Sequence, residues 1–205
     1  MKETPPTVIV IDDDDAIRQS LKLLFHSVRL PVTLHASAQE FLQSFKIDQP
    51  GCLVVDVRMP GMSGLELQQE LNLRGAMIPV IFITGHGDIS MAVEAMQHGA
   101  FDFLPKPFRD QDLLDRIQRA IEKDAANRLE VGRDEQIRER LESLTPRERE
   151  VLDLVISGKP NKIMAADLGV SQRTIEIHRA RVMEKMHAGS LAQLVRMTME
   201  LKEKA

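Results

Sequence analysis

Val8-Ile9-Val10-Ile11-Asp12-Asp13-Asp14-Asp15 sets four β-branched apolar residues directly before four carboxylates. An apolar run so short and so β-branched reads as a strand buried on both faces, not as part of an amphipathic helix. The form recurs downstream: Cys52–Val55 is closed by Asp56, and Val80–Ile83 by Thr84. Val32–His35 and Asp102–Leu104 are shorter candidates, the second followed by Pro105 and Lys106. Helical patterns lie between them. Ser37 and Glu40 make a capping box before Phe41, Ile89–Gln97 stops at Gly99, and Leu113, Leu114, Ile117 and Ile121 recur at helical spacing. Five such units predict an α/β doubly wound five-stranded parallel sheet, with its site beyond the carboxyl ends of the strands.

Composition narrows the classes. The chain has 205 residues and is 43% hydrophobic, enough for packed cores, which argues against global disorder. Its net charge of −4 is unevenly divided: residues 145–205 carry 11 Lys+Arg against 8 Asp+Glu, leaving 16 against 23 in residues 1–144. An acidic front and a mildly basic back imply different partners. Cys52 is the single cysteine, so no internal disulfide forms, and its apolar neighbours make it a buried small hydrophobe. The N-terminus lacks a signal-peptide core, and no apolar run is long enough to span a bilayer. A cytoplasmic protein with no membrane partner is expected.

If strands 1 and 3 are neighbours, Asp12, Asp13 and Asp56 converge at one sheet edge. Two unit charges about 4 Å apart repel by about 4 kcal/mol at an effective dielectric of about 20, so the cluster needs a cation or a proton. Hard carboxylate oxygens suit Mg²⁺, which keeps open positions for a phosphoryl ligand. Thr84 offers a hydroxyl at the same edge and Lys106 a cation. Asp14 and Asp15 are read more plainly, as acids at a helix N-terminus.

These residues, with Asp56–Gly64 and Lys106-Pro107-Phe108, resemble the receiver domains of two-component response regulators over residues 7–123. Gly85-His86-Gly87-Asp88 and the C-terminal segment narrow the resemblance to the NarL/FixJ group, nearest its FixJ-like members. The resemblance implies a flavodoxin-like receiver fold with Asp56 as phosphoacceptor for a sensor histidine kinase. It implies Mg²⁺ held by Asp13 and Asp56, by Asp12 through water, and by the Arg58 backbone carbonyl. Thr84 and Lys106 would meet the phosphoryl group, the Lys106–Pro107 peptide would be cis, and Phe103 would be the switch aromatic that turns as Thr84 moves. Any enzymatic activity would be confined to self-phosphorylation and slow autodephosphorylation. A haloacid-dehalogenase-like phosphohydrolase uses a similar residue set, but Asp12-Asp13-Asp14-Asp15-Ala16 lacks that family's final Thr or Val, and no cap domain follows.

Residues 124–142 are dense in charge of both signs and are interrupted by Gly132, which predicts a partly helical linker between a receiver at 1–123 and a second domain at 143–205. From Thr145 every signal is helical. Thr145 and Glu148 form a capping box with Pro146 at the first helical position. Asn161 is placed to cap a helix ending at Gly169, Ser171 caps the next, and Ser190 the last. This predicts a small all-α four-helix domain with a helix-turn-helix.

Along Ser171–Met186, Val182 and Met186 lie within about 20° of Ile175, and the three form a buried stripe. Arg173, Ile177, Ala180 and Glu184 face the other way, flanked by Glu176 and Arg181. Ile177 is an apolar residue facing water, suited to a thymine methyl, with Ala180 allowing close approach. Arg173, Arg179 and Arg181 have the reach for phosphates or guanine.

Leu144–Glu148, Asn161-Lys162 and Thr174–His178 resemble a LuxR-type helix-turn-helix over residues 143–201. That resemblance implies a recognition helix at Ser171–Met186, with Thr174 and His178 near DNA, and a dimer contact through Leu191, Leu194 and Val195. His178 reads as a satisfied, partly buried histidine or as a phosphate contact. The expected protein is a phosphorylation-controlled transcription factor that forms a homodimer on promoter DNA, with RNA polymerase a further candidate partner. A receiver serving only for dimerisation is disfavoured by its intact acidic set.

Overall fold

The computed structural model of the chain describes residues 5–85 and 89–203, the side chains of Ile89, Lys202 and Glu203 excepted. His86, Gly87 and Asp88 of the Gly85–Asp88 motif lie outside the described residues. The chain divides into two compact units, the first ending at Arg128 and the second beginning at Leu129. No helix among the described residues is long and apolar enough to cross a membrane.

The first unit alternates strands and helices: β1 (Thr7–Ile11), α1 (Asp15–Ser27), β2 (Val32–His35), α2 (Ala38–Ser44), β3 (Gly51–Asp56), α3 (Gly64–Leu73), β4 (Val80–Thr84), α4 (Ile89–Gln97), β5 (Asp102–Pro105) and the start of α5 (Asp110–Glu142). The strands are all parallel in the order β2-β1-β3-β4-β5. Period-two alternation divides each strand between two cores. Ile9, Ile11, Leu53, Val55 and Phe82 pack with Phe41 of α2 and Leu67 and Leu71 of α3. Val8, Val10, Cys52, Val54, Ile81 and Ile83 pack with Phe25 of α1 and Leu113 and Ile117 of α5. Phe25 and Phe82 are fully buried, and each such side chain contributes about 1.5–3 kcal/mol. Coverage on both faces explains why these strands read as unbroken apolar runs.

Register decides what meets at the carboxyl edge. Ile11 pairs with Val55, Val55 with Phe82, and Phe82 with Phe103. The residues just beyond that row, Asp12 and Asp56, therefore leave neighbouring strands side by side. Gly64 opens α3 against this edge. A Cβ on it would stand 2.4 Å from the Asp56 carbonyl oxygen, so only glycine lets the helix start there. Ser63 and Glu66 close a full capping box around that start.

The opposite edge of the sheet carries a buried charge pair. Asp124 of α5 is 1% exposed. Its Oδ2 accepts from the Gly51 backbone N–H at 2.9 Å and from Arg128 Nε at 2.8 Å, and Arg128 also donates to the Gln49 carbonyl. Gly51 sits at φ +139°, where a Cβ would meet the Thr7 carbonyl oxygen at 1.9 Å.

The second unit holds the remainder of α5, then α6 (Pro146–Ile156), α7 (Asn161–Asp167), α8 (Gln172–Lys185) and α9 (Leu191–Glu203). Its core joins Ile137 of α5 to Val151, Leu152, Met164, Ile175, Val182, Met186, Leu194 and Met197. The segment expected as a partly helical linker is helix throughout, and Gly132 does not interrupt it. A mid-helix glycine costs only about 1 kcal/mol, and burial of Ile137 together with the half-buried Leu141 favours the continuous helix.

The caps follow sequence with one exception. Thr145 and Glu148 form the expected box, and Ser171 and Ser190 accept from Thr174 N and Gln193 N. Asn161 does not cap α7. Pro160 takes that position without a side-chain bond, because the Asn161 amide is engaged by Arg179 of α8.

Candidate acidic site and nucleic-acid interface

Three strand ends build the acidic site. Asp12 continues β1, Asp56 ends β3 and Lys106 follows β5. The Lys106 ammonium donates to Asp12 Oδ2 at 2.9 Å and to Asp56 Oδ1 at 2.8 Å. The other oxygen of each carboxylate is held by backbone: Asp12 Oδ1 accepts from Asp14 N at 2.9 Å, and Asp56 Oδ2 from Arg58 N at 2.8 Å. Both acids are buried and Lys106 is half-buried.

Burial raises the Asp12 pKa above the ordinary aspartate value even though Lys106 pulls it down. Burial alone would lower Lys106, yet its bonds to Asp56 and Asp12 hold it above its usual value. A lysine held protonated between two acids is the direction that fits the geometry, so the site's cation persists throughout the physiological range.

Thr84 is 1% exposed at the end of β4, and its carbonyl accepts from Lys106 N at 2.7 Å. The pairing of Phe82 with Phe103 sets Thr84 and Phe103 on one face of the sheet. Phe103 is half-buried against the core of that face. The Lys106–Pro107 peptide is cis.

Asp13, Asp14 and Asp15 point to different uses. Asp14 caps α1 by accepting from Ala16 N, and Asp15 pairs with Arg18. Asp13 is exposed. Among the described residues no three His, Cys, Asp or Glu side chains stand close enough to hold a metal ion as arranged. The donor set nevertheless suits a hard divalent cation. Two buried carboxylates share one ammonium group, which leaves an excess of negative charge, and a third acid, Asp13, is adjacent in sequence.

In the second unit, Ile175, Val182 and Met186 are buried as the helical stripe requires. Arg173, Glu176, Ile177, Ala180 and Arg181 are exposed, Ile177 at 44%. Thr174 and His178 are half-buried. His178 differs from its expected satisfied state, since its Nδ1 is buried without a protein hydrogen-bond partner. On α9, Leu191 is 45% exposed and Val195 half-buried, whereas Leu194 is 1% exposed and belongs to the core. The expected dimer contact therefore does not run through Leu194.

The family model described as response regulator receiver domain matches residues 8–118, and that described as bacterial regulatory proteins, luxR family, matches residues 142–198. The chain is a response regulator. It joins a receiver domain to a LuxR-type DNA-binding domain, and the similar regulators extend over nearly its whole length. It is 50% identical to the transcriptional regulatory protein FixJ of Azorhizobium caulinodans over 203 residues, covering 97% of this chain and 94% of that protein. It is 42% identical to the response regulator protein TodT of Pseudomonas putida, covering 99% and 89%. Among solved structures it is similar to the response regulator StyR, with 44% identity, a TM-score of 0.88 and coverage of 96% and 100%. It is also similar to full-length FixJ from B. japonicum, with 43% identity, a TM-score of 0.58 and 98% coverage of each. Receiver domains use Mg²⁺ at an acidic pocket of this kind.

For this response regulator, sequence reasoning named Asp12, Asp56 and Lys106, which the structure brings together, but missed three other pairings. Asp124 falls on the buried stripe of α5 after Leu113, Ile117 and Ala120, and that spacing was the available signal. Glu148 is 3% exposed and accepts from Lys185 Nζ at 2.7 Å, tying the start of α6 to the end of α8. Its bonds to Lys185 and to the Thr145 backbone hold its pKa near 2. The third is the contact between Asn161 and Arg179, at 2.6 Å.

Proposed function

We propose that a sensor histidine kinase phosphorylates Asp56 and that this modification switches the protein to a DNA-bound homodimer. The observation that carries the reading is the Lys106 ammonium held between Asp12 and Asp56 at the edge of the sheet. An Asp56 carboxylate oxygen attacks the phosphorus of the kinase phosphohistidine. The P–O bond forms as the P–N bond breaks, and the electron pair stays on the imidazole nitrogen. The residues that would hold Mg²⁺ are Asp12, Asp13 and Asp56 with the Arg58 carbonyl. When bound, Mg²⁺ offsets the negative charge of the acids and of the incoming phosphoryl oxygens.

A phosphoryl group adds about −1.5 to −2 charge. Lys106 then pairs with a phosphoryl oxygen, and the Thr84 hydroxyl donates to another. Movement of Thr84 opens space on the face it shares with Phe103, and Phe103 turns into it. The surface above that face, formed by α4, β5 and the first part of α5, becomes the dimer contact. Association joins two DNA-binding domains, each presenting Arg173, Thr174, Glu176, Ile177, His178, Ala180 and Arg181 to the major groove, with Leu191 and Val195 completing a second contact on DNA. In this scheme residues 1–123 are the receiver, 143–205 the DNA-binding domain and 124–142 their connection, in a cytoplasmic protein that acts at promoters, with RNA polymerase as a further partner. Its own chemistry is limited to self-phosphorylation from small donors and slow autodephosphorylation.

The test is incubation with acetyl phosphate and Mg²⁺. The wild type acquires a hydroxylamine-labile phosphoryl group and sediments as a dimer, and Asp56→Asn does neither. Stoichiometric phosphorylation of Asp56→Asn would contradict the assignment.

A further inference from the structure

The arginines of α8 differ in what they touch. Arg173 is exposed and lies 3.8 Å from Glu176. Arg181 is exposed with no carboxylate partner among the described residues. Arg179 is half-buried, and its Nη1 donates to Asn161 Oδ1 across the helix-turn-helix at 2.6 Å. It too has no carboxylate partner among the described residues. Arg147, Lys159 and Lys185 of the same unit, by contrast, pair with Glu150, Asp167 and Glu148.

Direction separates Arg179 from the base-reading set. At about 100° per residue Arg179 stands only about 40° from Ile175 in the buried stripe and about 160° from Ile177. It cannot share a base-facing direction with Ile177. Its guanidinium instead reaches Asn161, the first residue of α7, which is followed in sequence by exposed Lys162. Asn161 is committed to this contact, which leaves α7 without a side-chain cap.

A guanidinium has five N–H donors in a rigid fork. One goes to a neutral amide here, and no carboxylate among the described residues balances the charge. Such a group, fixed by a neutral partner, is built to receive an anion at its remaining donors.

We propose that Arg179 is a phosphate-binding residue at the α7–α8 seam, with Asn161 the positioning residue that orients it. The ligand is the sugar-phosphate backbone of duplex DNA, so Arg179 contributes to affinity but not to base preference. This rests on the reading of α8 as the helix that meets DNA.

The test measures affinity of the full-length, acetyl phosphate-treated protein for a mixed-sequence duplex of about 30 base pairs over a salt series. Each phosphate contact contributes about 0.9 to the slope of log affinity against log salt. Arg179→Gln keeps a donor for Asn161 but removes the charge, so the slope falls by about 0.9. Arg179→Lys keeps the charge, so affinity falls but the slope holds. Asn161→Ala likewise lowers affinity with the slope unchanged. An unchanged slope in Arg179→Gln would overturn the proposal and leave Arg179 a strut between helices. A wild type without salt-dependent duplex affinity would overturn the reading of α8 itself, and the proposal with it.

Discussion

The two edges of one sheet carry opposite electrostatic designs. Strand β3 begins at Gly51, whose N–H meets Asp124 paired with Arg128. It ends at Asp56, which shares the Lys106 ammonium with Asp12. At the first edge one acid meets one cation and one backbone donor, all through Asp124 Oδ2. At the second edge the acids outnumber the cation. A balanced buried pair is a structural part, because removing either member strands the other in low dielectric. An unbalanced one waits for charge from outside, here a divalent cation and then a phosphoryl group. Burial alone does not distinguish them; charge count does.

Stability should divide the edges most sharply. Asp124→Ala leaves the Gly51 N–H without its acceptor and Arg128 without its carboxylate, and such losses cost about 3–5 kcal/mol. Asp56→Asn relieves repulsion from Asp12 and leaves Lys106 its other acid, so its cost stays below about 1 kcal/mol. Urea unfolding followed by circular dichroism compares them, and equal destabilisation would break the contrast.

The second unit supplies another balanced pair and a pH test. Glu148 is held near 2, below its ordinary value of 4.5. A depressed carboxylate pKa contributes stability that is complete above about pH 4.5 and is lost as pH falls through about 2. Amide exchange in α6 and α8 should accelerate across that window in the wild type, and Glu148→Gln should be flat there. A wild type with no acid dependence in these helices would remove the pair from the balanced class.

Smaller effects probe the exposed face of α8, where Arg173 lies 3.8 Å from Glu176. Ile177→Ser should alter preference at one base pair by about 1–3 kcal/mol, read by binding to single-substitution operator variants. Unchanged selectivity would remove the thymine-methyl contact. Mg²⁺ should then raise stability by only about 1.4 kcal/mol at ten times its dissociation constant. Asp13→Ala should abolish that gain, while Asp14→Ala and Asp15→Ala keep it. Equal losses in all three would mean the metal ligands are misassigned.

Much of this was legible in sequence because the fold makes strand ends converge. Asp12, Asp56, Thr84 and Lys106 needed only correct strand limits and the neighbouring of β1 and β3. What sequence withheld depends on tertiary contact. Gly132 and the dense charges of 124–142 argue locally for a break, but Ile137 finds a core in the second unit and α5 continues. Asn161 has the residue type of a cap, yet an arginine eighteen residues on claims it. Leu194 and Leu191 lie on one short helix, and only packing tells which is core and which is surface.

The most direct test of control by Asp56 is the affinity for DNA fragments that the phosphorylated protein selects from its source genome. Joining two DNA-binding domains makes the second contact intramolecular and raises apparent affinity by about 10²–10⁴. Phosphorylation of the wild type should produce that rise, and Asp56→Asn under the same treatment should retain the affinity of the untreated protein. Equal affinity of phosphorylated and unphosphorylated wild type, or an equal rise in Asp56→Asn, would contradict the account.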